Sequence, residues 1–410
     1  MDTFDIAIVG GGMVGLSLAL ALKPSLEAGK SLVVIDPAPQ PTEQAPHSPS
    51  FDDRATALAD YSCQALEHLG VWPALSAHAS AIDWIEVSDR GHLGYQVLDS
   101  QRLFNRPFGA VVSNTNLGQA LWQQARTLPE VEWCFGEPVD HIDSHSEHQR
   151  LTLNSSRTLA ARQVFLCDGG RSPLLQKLGI PLQQQPYQAM ARIATVRTEQ
   201  PHQGRAYERF THQGPIALLP FGNYCALVWT YPERLHKRIN AMTPAQQLDW
   251  LNQHFGQRLG RLTEISPTQA YPLSLVQAVA PIRHRLMALG NSAATLHPVA
   301  GQGFNLAMRS LMRSARYCNQ SFAEGKEPGE FKGLQALAQS IAADQRQTAF
   351  FSDQLVRHFS STNPLVAAAR TLALGSLDRH PMAQKAFALA SMGLLQNAPL
   401  SSAPLEVLPT

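Results

Sequence analysis

The sequence predicts an α/β protein with a parallel-sheet domain at its N-terminus, a mostly antiparallel second domain and a helical C-terminal region. The first 36 residues have the pattern of strand, glycine turn, helix and second strand. Residues 187–285 instead contain short alternating apolar runs, with one helix between them. Beyond residue 331, apolar residues recur at helical spacing. These three observations set the fold class.

The N-terminal segment has the pattern of a Rossmann-like dinucleotide-binding unit. Gly10 permits a tight turn after the first strand, Gly12 lets the backbone approach a pyrophosphate, and Gly15 lets the helix pack closely on the sheet. Asp36 ends the second strand about 20 residues later, where a carboxylate can accept hydrogen bonds from ribose hydroxyls. The alternative is a glycine-rich loop that only makes a turn.

An uncharged stretch at residues 6–22 raises the alternative of a signal peptide or a membrane span. Asp2 and Asp5 precede it where such a segment would carry Lys or Arg, and three adjacent glycines would weaken a spanning helix. A buried parallel strand followed by a helix explains the stretch better.

The composition indicates a large globular protein of a reducing compartment. Of the 410 residues, 44% are hydrophobic and 16% are charged. The net charge of +1 gives no electrostatic basis for binding nucleic acid. The five scattered cysteines and fifteen histidines lack the spacing of a disulfide framework or a metal site. We therefore predict a cytoplasmic protein with no metal ion and no nucleic-acid partner.

Two later motifs also follow predicted strands. The strand at 164–166 ends before the sequence CDGGRS at 167–172, and α/β sheets place ligand groups at the carboxyl ends of strands. The strand at 286–289 leads into a second glycine loop and then a helix, which begins near residue 301. A dinucleotide has two ends, and a protein that grips both needs two such loops. An ordinary loop with a capping glycine is the alternative.

The predicted boundaries divide the chain into five parts. The apolar C-terminal helices predict either a cap on the core or a face for membrane lipid, a lipid substrate or a partner. The parts are residues 1–186 (nucleotide-binding domain, first part), 187–285 (antiparallel sheet domain that covers the substrate), 286–330 (nucleotide-binding domain, returning part), 331–396 (C-terminal helices) and 397–410 (disordered tail).

Three motifs together resemble the class A flavoprotein hydroxylases, which share the para-hydroxybenzoate hydroxylase fold: GGGMVG at 10–15, CDGGRS at 167–172 and GNSAATLHPVAGQGFN at 290–305. With residues 204–211 and 214–220, the third motif is most similar to the ubiquinone-biosynthesis hydroxylases that act on 2-polyprenyl-6-methoxyphenol. The resemblance covers nearly the whole chain. It implies FAD as cofactor, NAD(P)H as electron donor, O2 as co-substrate, and hydroxylation of a polyprenylated methoxyphenol through a flavin C4a-hydroperoxide.

The resemblance assigns cofactor roles residue by residue. It implies that the three motif glycines hold the FAD pyrophosphate and that Asp36 holds the adenosine ribose. Arg54 and Asn114 fall where residues near the flavin are found, and Asp168 with Gly169 matches the motif that serves both FAD and NAD(P)H. Asn291 is placed to bond a ribityl hydroxyl. The backbone amides and helix start beside the flavin N1–C2=O edge come from Gly301, Gln302, Gly303 and Asn305.

Catalytic assignments are drawn from the same positions. Pro298 matches the proline beside the reacting face of the flavin, and His297 and Arg54 are candidates to assist deprotonation of the phenol. A packed structural histidine is the alternative for His297.

The sequence departs from the family pattern at four positions. Asn291 stands where an Asp is usual, Ala294 where a His is usual, Leu175 where an Arg is expected and Ser310 where an acid is expected. Three alternatives therefore stay open: a hydroxylase of another ubiquinone precursor or ring position, a flavin reductase or dehydrogenase of the same fold, and a catalytically idle FAD-binding scaffold. Other ubiquinone-biosynthesis proteins and a peripheral membrane contact are the expected partners besides the substrate.

Overall fold

The computed structural model describes residues 1–41, 54–90, 95–170, 173–295, 302–360, 384–385 and 388. The strands are β1 (Asp2–Val9), β2 (Leu32–Asp36), β3 (Ala55–Ala59), β4 (Ser80–Ala81), β5 (Trp84–Asp89), β6 (Tyr95–Asp99), β7 (Gly109–Ser113), β8 (Val131–Phe135), β9 (Val139–Ser144), β10 (Gln149–Leu153), β11 (Thr158–Leu166), β12 (Leu182–Thr198), β13 (Arg205–Phe210), β14 (Ile216–Phe221), β15 (Tyr224–Pro232), β16 (Leu262–Ile265), β17 (Gln269–Ala278), β18 (Ile282–Arg283), β19 (Leu286–Ala288) and β20 (Ala294–Thr295). The helices are α1 (Met13–Ala21), α2 (Lys23–Glu27), α3 (Asp60–His68), α4 (Trp72–Leu75), α5 (Ser100–Phe104), α6 (Asn114–Ala125), α7 (Leu174–Lys177), α8 (His236–Asn240), α9 (Pro244–Phe255), α10 (Gln302–Ala323) and α11 (Phe331–Ser360).

The central sheet has the strand order β18–β19–β11–β1–β2–β8, with the hairpin β9–β10 attached to β11. β1 pairs in parallel with β2 on one side and β11 on the other, and β11 pairs in parallel with β19. Ile6, Ala7 and Ile8 are fully buried, as expected for a parallel strand covered on both faces. Val9 lies opposite both Ile35 and Leu166, so the carboxyl ends of these strands are level.

One face of the central sheet is covered by helices from distant parts of the chain. Leu16 and Leu18 of α1, Leu121 of α6 and Met308 and Leu311 of α10 share one buried apolar cluster. The second glycine loop therefore returns the chain to the same core in which the first one begins, although about 290 residues separate the two helices.

A nine-stranded sheet forms the second layer, in the order β20–β17–β12–β15–β14–β13–β5–β6, with β16 added to β12. Its outer face packs on α9, where Trp229, Tyr231, Leu251 and Phe255 are buried together. The predicted fold class is confirmed. The sheet also takes β5 and β6 from before residue 182, which the sequence did not indicate, because β5 pairs with β13 across about 120 residues. The boundary predicted at residue 187 stays a prediction.

A small sheet, β3–β7–β4, lies between the two layers. Ala57 of β3 and Val111 of β7 pack against the inner face of the nine-stranded sheet, which carries Ala206, Leu219 and Phe221. The inner face is thus the side turned toward the nucleotide-binding layer.

The C-terminal region begins as part of the core. Leu334, Leu337 and Ile341 of α11 are buried in the cluster that also contains α1 and α10. For α11, this favours the predicted cap on the core. The helices predicted at 365–377 and 382–395 and the tail at 397–410 lie outside the described residues, except that Ala388 is buried against the small sheet and the inner face. Within the described ranges, no helix is both long and apolar enough to cross a bilayer.

A buried ion pair joins the last two described helices, and its loss should destabilise the protein. Arg309 Nε lies 2.9 Å from Asp344 Oδ2, and both side chains are less than a tenth exposed. We expect Asp344→Asn to lower the free energy of unfolding by about 3–5 kcal/mol, because it leaves a buried guanidinium without its counter-charge. Urea denaturation followed by circular dichroism measures this change.

The control for this prediction is the exposed pair of Lys23 and Glu27 on α2. Glu27→Gln should leave the urea midpoint close to that of the wild type, because exposed pairs contribute little. Equal midpoints for the two variants would contradict the assignment of a stabilising role to the buried pair.

Candidate active site

Four predicted loops meet at the carboxyl edge of the central sheet. The chain reaches this edge at Gly10 after β1, at Asp36 on β2, at Asp168 after β11 and at Gly290 after β19. Backbone hydrogen bonds hold the loops level: Gly10 N donates to the Ile35 carbonyl at 2.7 Å, and the amides of residues 167 and 289 continue the ladder. All three sequence motifs are therefore brought together.

The glycine turn is shaped by close backbone contacts. Gly10 has φ +108°, and a Cβ there would lie 2.5 Å from the Cys167 carbonyl oxygen. A Cβ on Gly15 would overlap the carbonyl group of Gly10. Gly12 is the N-cap of α1, and no side chain caps this helix, so its first amide groups are available to an anion.

Asp36 is fixed beside the glycine turn. Its Oδ2 accepts a hydrogen bond from Gly11 N at 2.5 Å, and its Oδ1 accepts one from Ala38 N at 2.8 Å. Burial raises the pKa of this carboxyl, and the two backbone bonds oppose the rise. Each carboxylate oxygen has a second lone pair, so Asp36 can still accept hydrogen bonds from ribose hydroxyls.

Ser292 connects the second motif to the third, and the sequence did not identify it as a site residue. Its Oγ donates to Asp168 Oδ1 at 2.9 Å and accepts from Gly169 N at 2.9 Å. The adjacent Asn291 is exposed at the same edge. The sequence did contain a signal for Ser292, because this residue lies inside the third motif and directly follows Asn291, which was predicted as a site residue.

Arg54 reaches from the nucleotide-binding layer to the sheet above it. Its guanidinium lies 5.7 Å from the ring centroid of Tyr271 on β17. The Arg54 carbonyl accepts a hydrogen bond from Asn114 N at 2.9 Å, and Asn114 Oδ1 accepts one from Thr56 Oγ1 at 2.6 Å. Arg54 and Asn114 are thus neighbours, as their predicted shared position near a flavin requires. Their contacts with a flavin stay predictions.

Asn305 anchors the start of α10 with its side chain. Its Oδ1 accepts hydrogen bonds from Ala59 N at 2.8 Å and Ser62 Oγ at 2.7 Å, and its Nδ2 donates to the Ala57 carbonyl at 2.8 Å. Asn305 can therefore serve a cofactor through its backbone, as predicted, while its side chain positions the helix. This anchoring could not be read from the sequence.

The remaining predicted residues divide into two groups. α10 begins at Gln302 and continues through Gly303, while His297, Pro298 and Gly301 lie outside the described residues. Two departures from the family pattern are core positions. Leu175 is buried beside the central sheet, and the Ser310 hydroxyl donates to the Leu306 carbonyl within α10.

One acidic residue of the inner face was missed by the sequence analysis. On β13, the ring of Tyr207 packs 5.7 Å from that of Phe255, and Arg209 Nε donates to the His254 carbonyl at 3.2 Å. Both neighbours therefore point to the outer face. Because side chains alternate along a strand, Glu208 points to the inner face.

The surroundings of Glu208 are apolar. The strand register places it beside Ala217 of β14 and Val87 of β5. It is half-buried, and burial raises the pKa of its carboxyl to about 7. Among the described residues, no hydrogen bond or ion pair involves this carboxyl. A carboxyl in such a place is typical of functional sites.

The chain matches a known protein family and several known proteins. The model of the family described as FAD binding domain matches residues 3–316. The chain belongs to this family. It is 32% identical to the ubiquinone hydroxylase UbiL of Rhodospirillum rubrum, over 96% of this chain and 91% of that one. It is 29% identical to the 3-demethoxyubiquinol 3-hydroxylase of Escherichia coli, over 95% and 98% of the two chains.

A solved structure agrees at the level of the fold. The p-nitrophenol 4-monooxygenase PnpA of Pseudomonas putida matches with a TM-score of 0.75 at 17% identity, over 96% of this chain and 99% of that one. The predicted class, a FAD-dependent monooxygenase with homologues among ubiquinone hydroxylases, is confirmed.

The residues present fit FAD. Side chains at Gly10 and Gly15 would fill the turn, α1 offers uncapped amide groups to a pyrophosphate, and Asp36 has acceptor capacity left for a ribose. These are the groups that an adenine dinucleotide requires at a Rossmann-like edge.

Replacement of Gly15 should abolish FAD binding. A methyl group at this position must displace the Gly10 carbonyl, which distorts the turn that presents the α1 amides. We expect Gly15→Ala to be purified without the flavin absorption bands and to take up no added FAD. Gly29→Asn is the matched control, because Gly29 has open space around it and Asn tolerates a positive φ. A yellow Gly15→Ala protein with full flavin content would contradict this account of the turn.

The pH dependence of stability should reveal the raised pKa of Glu208. The folded pKa of this carboxyl, about 7, lies above its ordinary value of 4.5. Its contribution to stability is therefore present at low pH and is lost as pH rises through 7. Relative to the wild type, Glu208→Gln should gain about 2–4 °C in melting temperature at about pH 8.5 and nothing at about pH 4.5. A melting difference that does not change with pH would show that Glu208 titrates normally.

Proposed function

We propose that this protein hydroxylates the aromatic ring of a polyprenylated methoxyphenol in ubiquinone biosynthesis, with FAD as cofactor, NAD(P)H as electron donor and O2 as co-substrate. The observation that carries the proposal is the similarity to ubiquinone hydroxylases along at least 95% of the chain. A second argument is the junction, by which we mean the place where the carboxyl edge of the central sheet meets the inner face of the nine-stranded sheet. An aromatic substrate ring could reach the cofactor there.

The residues of the central sheet would hold the cofactor. FAD supplies the electrons that activate O2 and the transfer of one oxygen atom to the ring. The glycine turn and the α1 amides bind the pyrophosphate, and Asp36 binds the adenosine ribose. The first amides of α10 would offer a positive dipole end to the negative charge that develops on the reduced ring system.

The inner face would form an apolar cover, here called the roof, that keeps water away from the reacting ring. Ala206, Leu219 and Phe221 pack toward the small sheet, so apolar side chains line the junction. Exclusion of water prevents the unproductive decay of reactive species. Arg54, in contact with Tyr271, holds the roof to the FAD layer at one side. Its assistance in deprotonating the phenol, like that of His297, remains part of the proposal, as does the place of Pro298 beside the reacting face of the flavin.

A second candidate differs only in the ring position. The name of the Escherichia coli relative specifies 3-hydroxylation of a demethoxyubiquinol, so a later, more substituted ubiquinone precursor is the alternative substrate. Both substrates present the same chemistry, an electron-rich phenol with a long polyprenyl chain.

The predicted contacts with the membrane and with other ubiquinone-biosynthesis proteins also belong to the proposal. An apolar tail on the substrate is the argument for them. α11 is not free to make such contacts through Leu334, Leu337 and Ile341, which are buried. We therefore assign them to the chain beyond Ser360.

The test is product formation by the purified holoenzyme. With NADPH, isotopically labelled O2 and a short-chain 2-alkyl-6-methoxyphenol, we expect one labelled oxygen atom in a hydroxylated product, detected by mass spectrometry. The flavin-free Gly15→Ala variant is the control and should give none. Oxidation of NADPH without a labelled product would favour the reductase. A flavoprotein that neither oxidises NADPH nor forms product would favour the idle scaffold.

A further inference from the structure

Among the described residues, Glu208 is the ionisable side chain in a row of the inner face whose nearest members are aliphatic. The strand register places Glu208 beside Ala217, then Val228 on β15, then Ile193 on β12. On the other side it places Val87 of β5 in the same row. A carboxyl among aliphatic side chains costs free energy when ionised, so the position calls for a reason other than packing.

Among the described residues, no charged group forms an ion pair with Glu208. Arg205 and Arg258 form ion pairs with Glu86, and Arg209 donates a hydrogen bond to a backbone carbonyl of α9. These four side chains therefore lie on the outer face. The three strands of the small sheet, which pack against the inner face, contain no titratable residue.

The other polar groups of the inner face are few. Within the described residues of β5, β6, β13 and β14, they are Asp89, two residues along β5, and Gln96, in the same row as Glu208. Arg54 meets this face at Tyr271, on a strand separated from β13 by three others. Glu208 therefore lies on the inner face as an acid surrounded by aliphatic groups.

We propose that Glu208 is the catalytic base that accepts the phenolic proton of the substrate, an inference that rests on the proposed function. Its carboxyl is the acidic group on the inner face of β13 and β14, the face that also carries Ala206, Leu219 and Phe221. A phenol attacks an electrophilic oxygen faster as its oxygen loses the proton, because electron density then moves into the ring.

In this step, Glu208 accepts the phenolic proton and later returns it. The phenol O–H bond breaks, an O–H bond forms on Glu208, and the oxygen lone pair is delocalised into the ring carbon that receives the new hydroxyl. The hydrogen on that carbon then leaves to water, the ring becomes aromatic again, and Glu208 returns its proton to the original oxygen. NAD(P)H supplies the two electrons, one oxygen atom of O2 enters the ring, and the other leaves as water, as in the proposed function. The pKa of about 7 suits a group that must accept and return a proton near neutrality.

The test compares Glu208→Gln with Glu264→Gln, a change at an exposed position on β16 of the same sheet. For the wild type we expect kcat/KM for a short-chain methoxyphenol to rise with pH through an inflection near 7. Glu208→Gln should lower it by about 100-fold or more and remove the inflection, with FAD content unchanged. Glu208→Asp should restore the inflection in part, and Glu264→Gln should match the wild type.

A binding measurement separates this role from a structural one. Ultraviolet difference spectra of the oxidised holoenzyme with bound 2-methoxyphenol should show the phenolate signal at higher pH in the wild type than in Glu208→Gln, because an ionised carboxylate in contact with the phenol opposes a second negative charge. A Glu208→Gln protein with the wild-type inflection and the wild-type phenolate signal would overturn the inference and leave the proposed hydroxylase intact. A wild-type protein that binds FAD and the phenol but forms no hydroxylated product would overturn the proposed function itself.

Discussion

The structure depends on the level parallel pairing of β1 between β2 and β11. Val9 lies opposite Ile35 and Leu166, so the residues that follow each strand arrive at one edge and at one height. This single constraint joins a glycine turn, an acidic residue and two loops from widely separated parts of the chain. A shift of register by one residue would move the turn away from Cys167, whose carbonyl leaves no space for a side chain at Gly10.

Much of this organisation could be predicted from the sequence, because it is encoded locally. The glycine spacing of residues 10–15 fixes turn, helix start and packing together. Helix α9 lies within the stretch where one helix was predicted between the strands, and Thr243 and Gln246 form a capping box at its start. The pairing of β5 with β13 was missed because strand partners depend on contacts distant in sequence. Ser292 and Asn305 lie within the third motif, but the partners of their side chains come from other elements.

Glu208 escaped prediction for a different reason. The sequence around it, residues 205–210, mixes charged and apolar residues without strict alternation, so it does not indicate which side chains face inward. Only the packing of α9 on one face decides that Tyr207 and Arg209 turn outward and that the acid turns inward. At β5 and β13, the ion pairs of Glu86 therefore lie on the outer face, and Glu208 lies among aliphatic side chains on the inner face. Asn305 adds a mechanical link, because it ties the start of α10 to β3 and α3, next to Arg54.

The interleaving of β5 and β6 with β13 has a consequence for how this architecture can change. The nine-stranded sheet is assembled from separated stretches of chain. The stretch from β12 to β17 therefore cannot be moved into another protein as a self-contained unit. If it were moved into another host without β5, the edge of β13 would expose unpaired amide and carbonyl groups, which recruit other chains. New substrate ranges in this architecture should therefore arise by substitution on the inner face, where side chains change while strand pairing is kept.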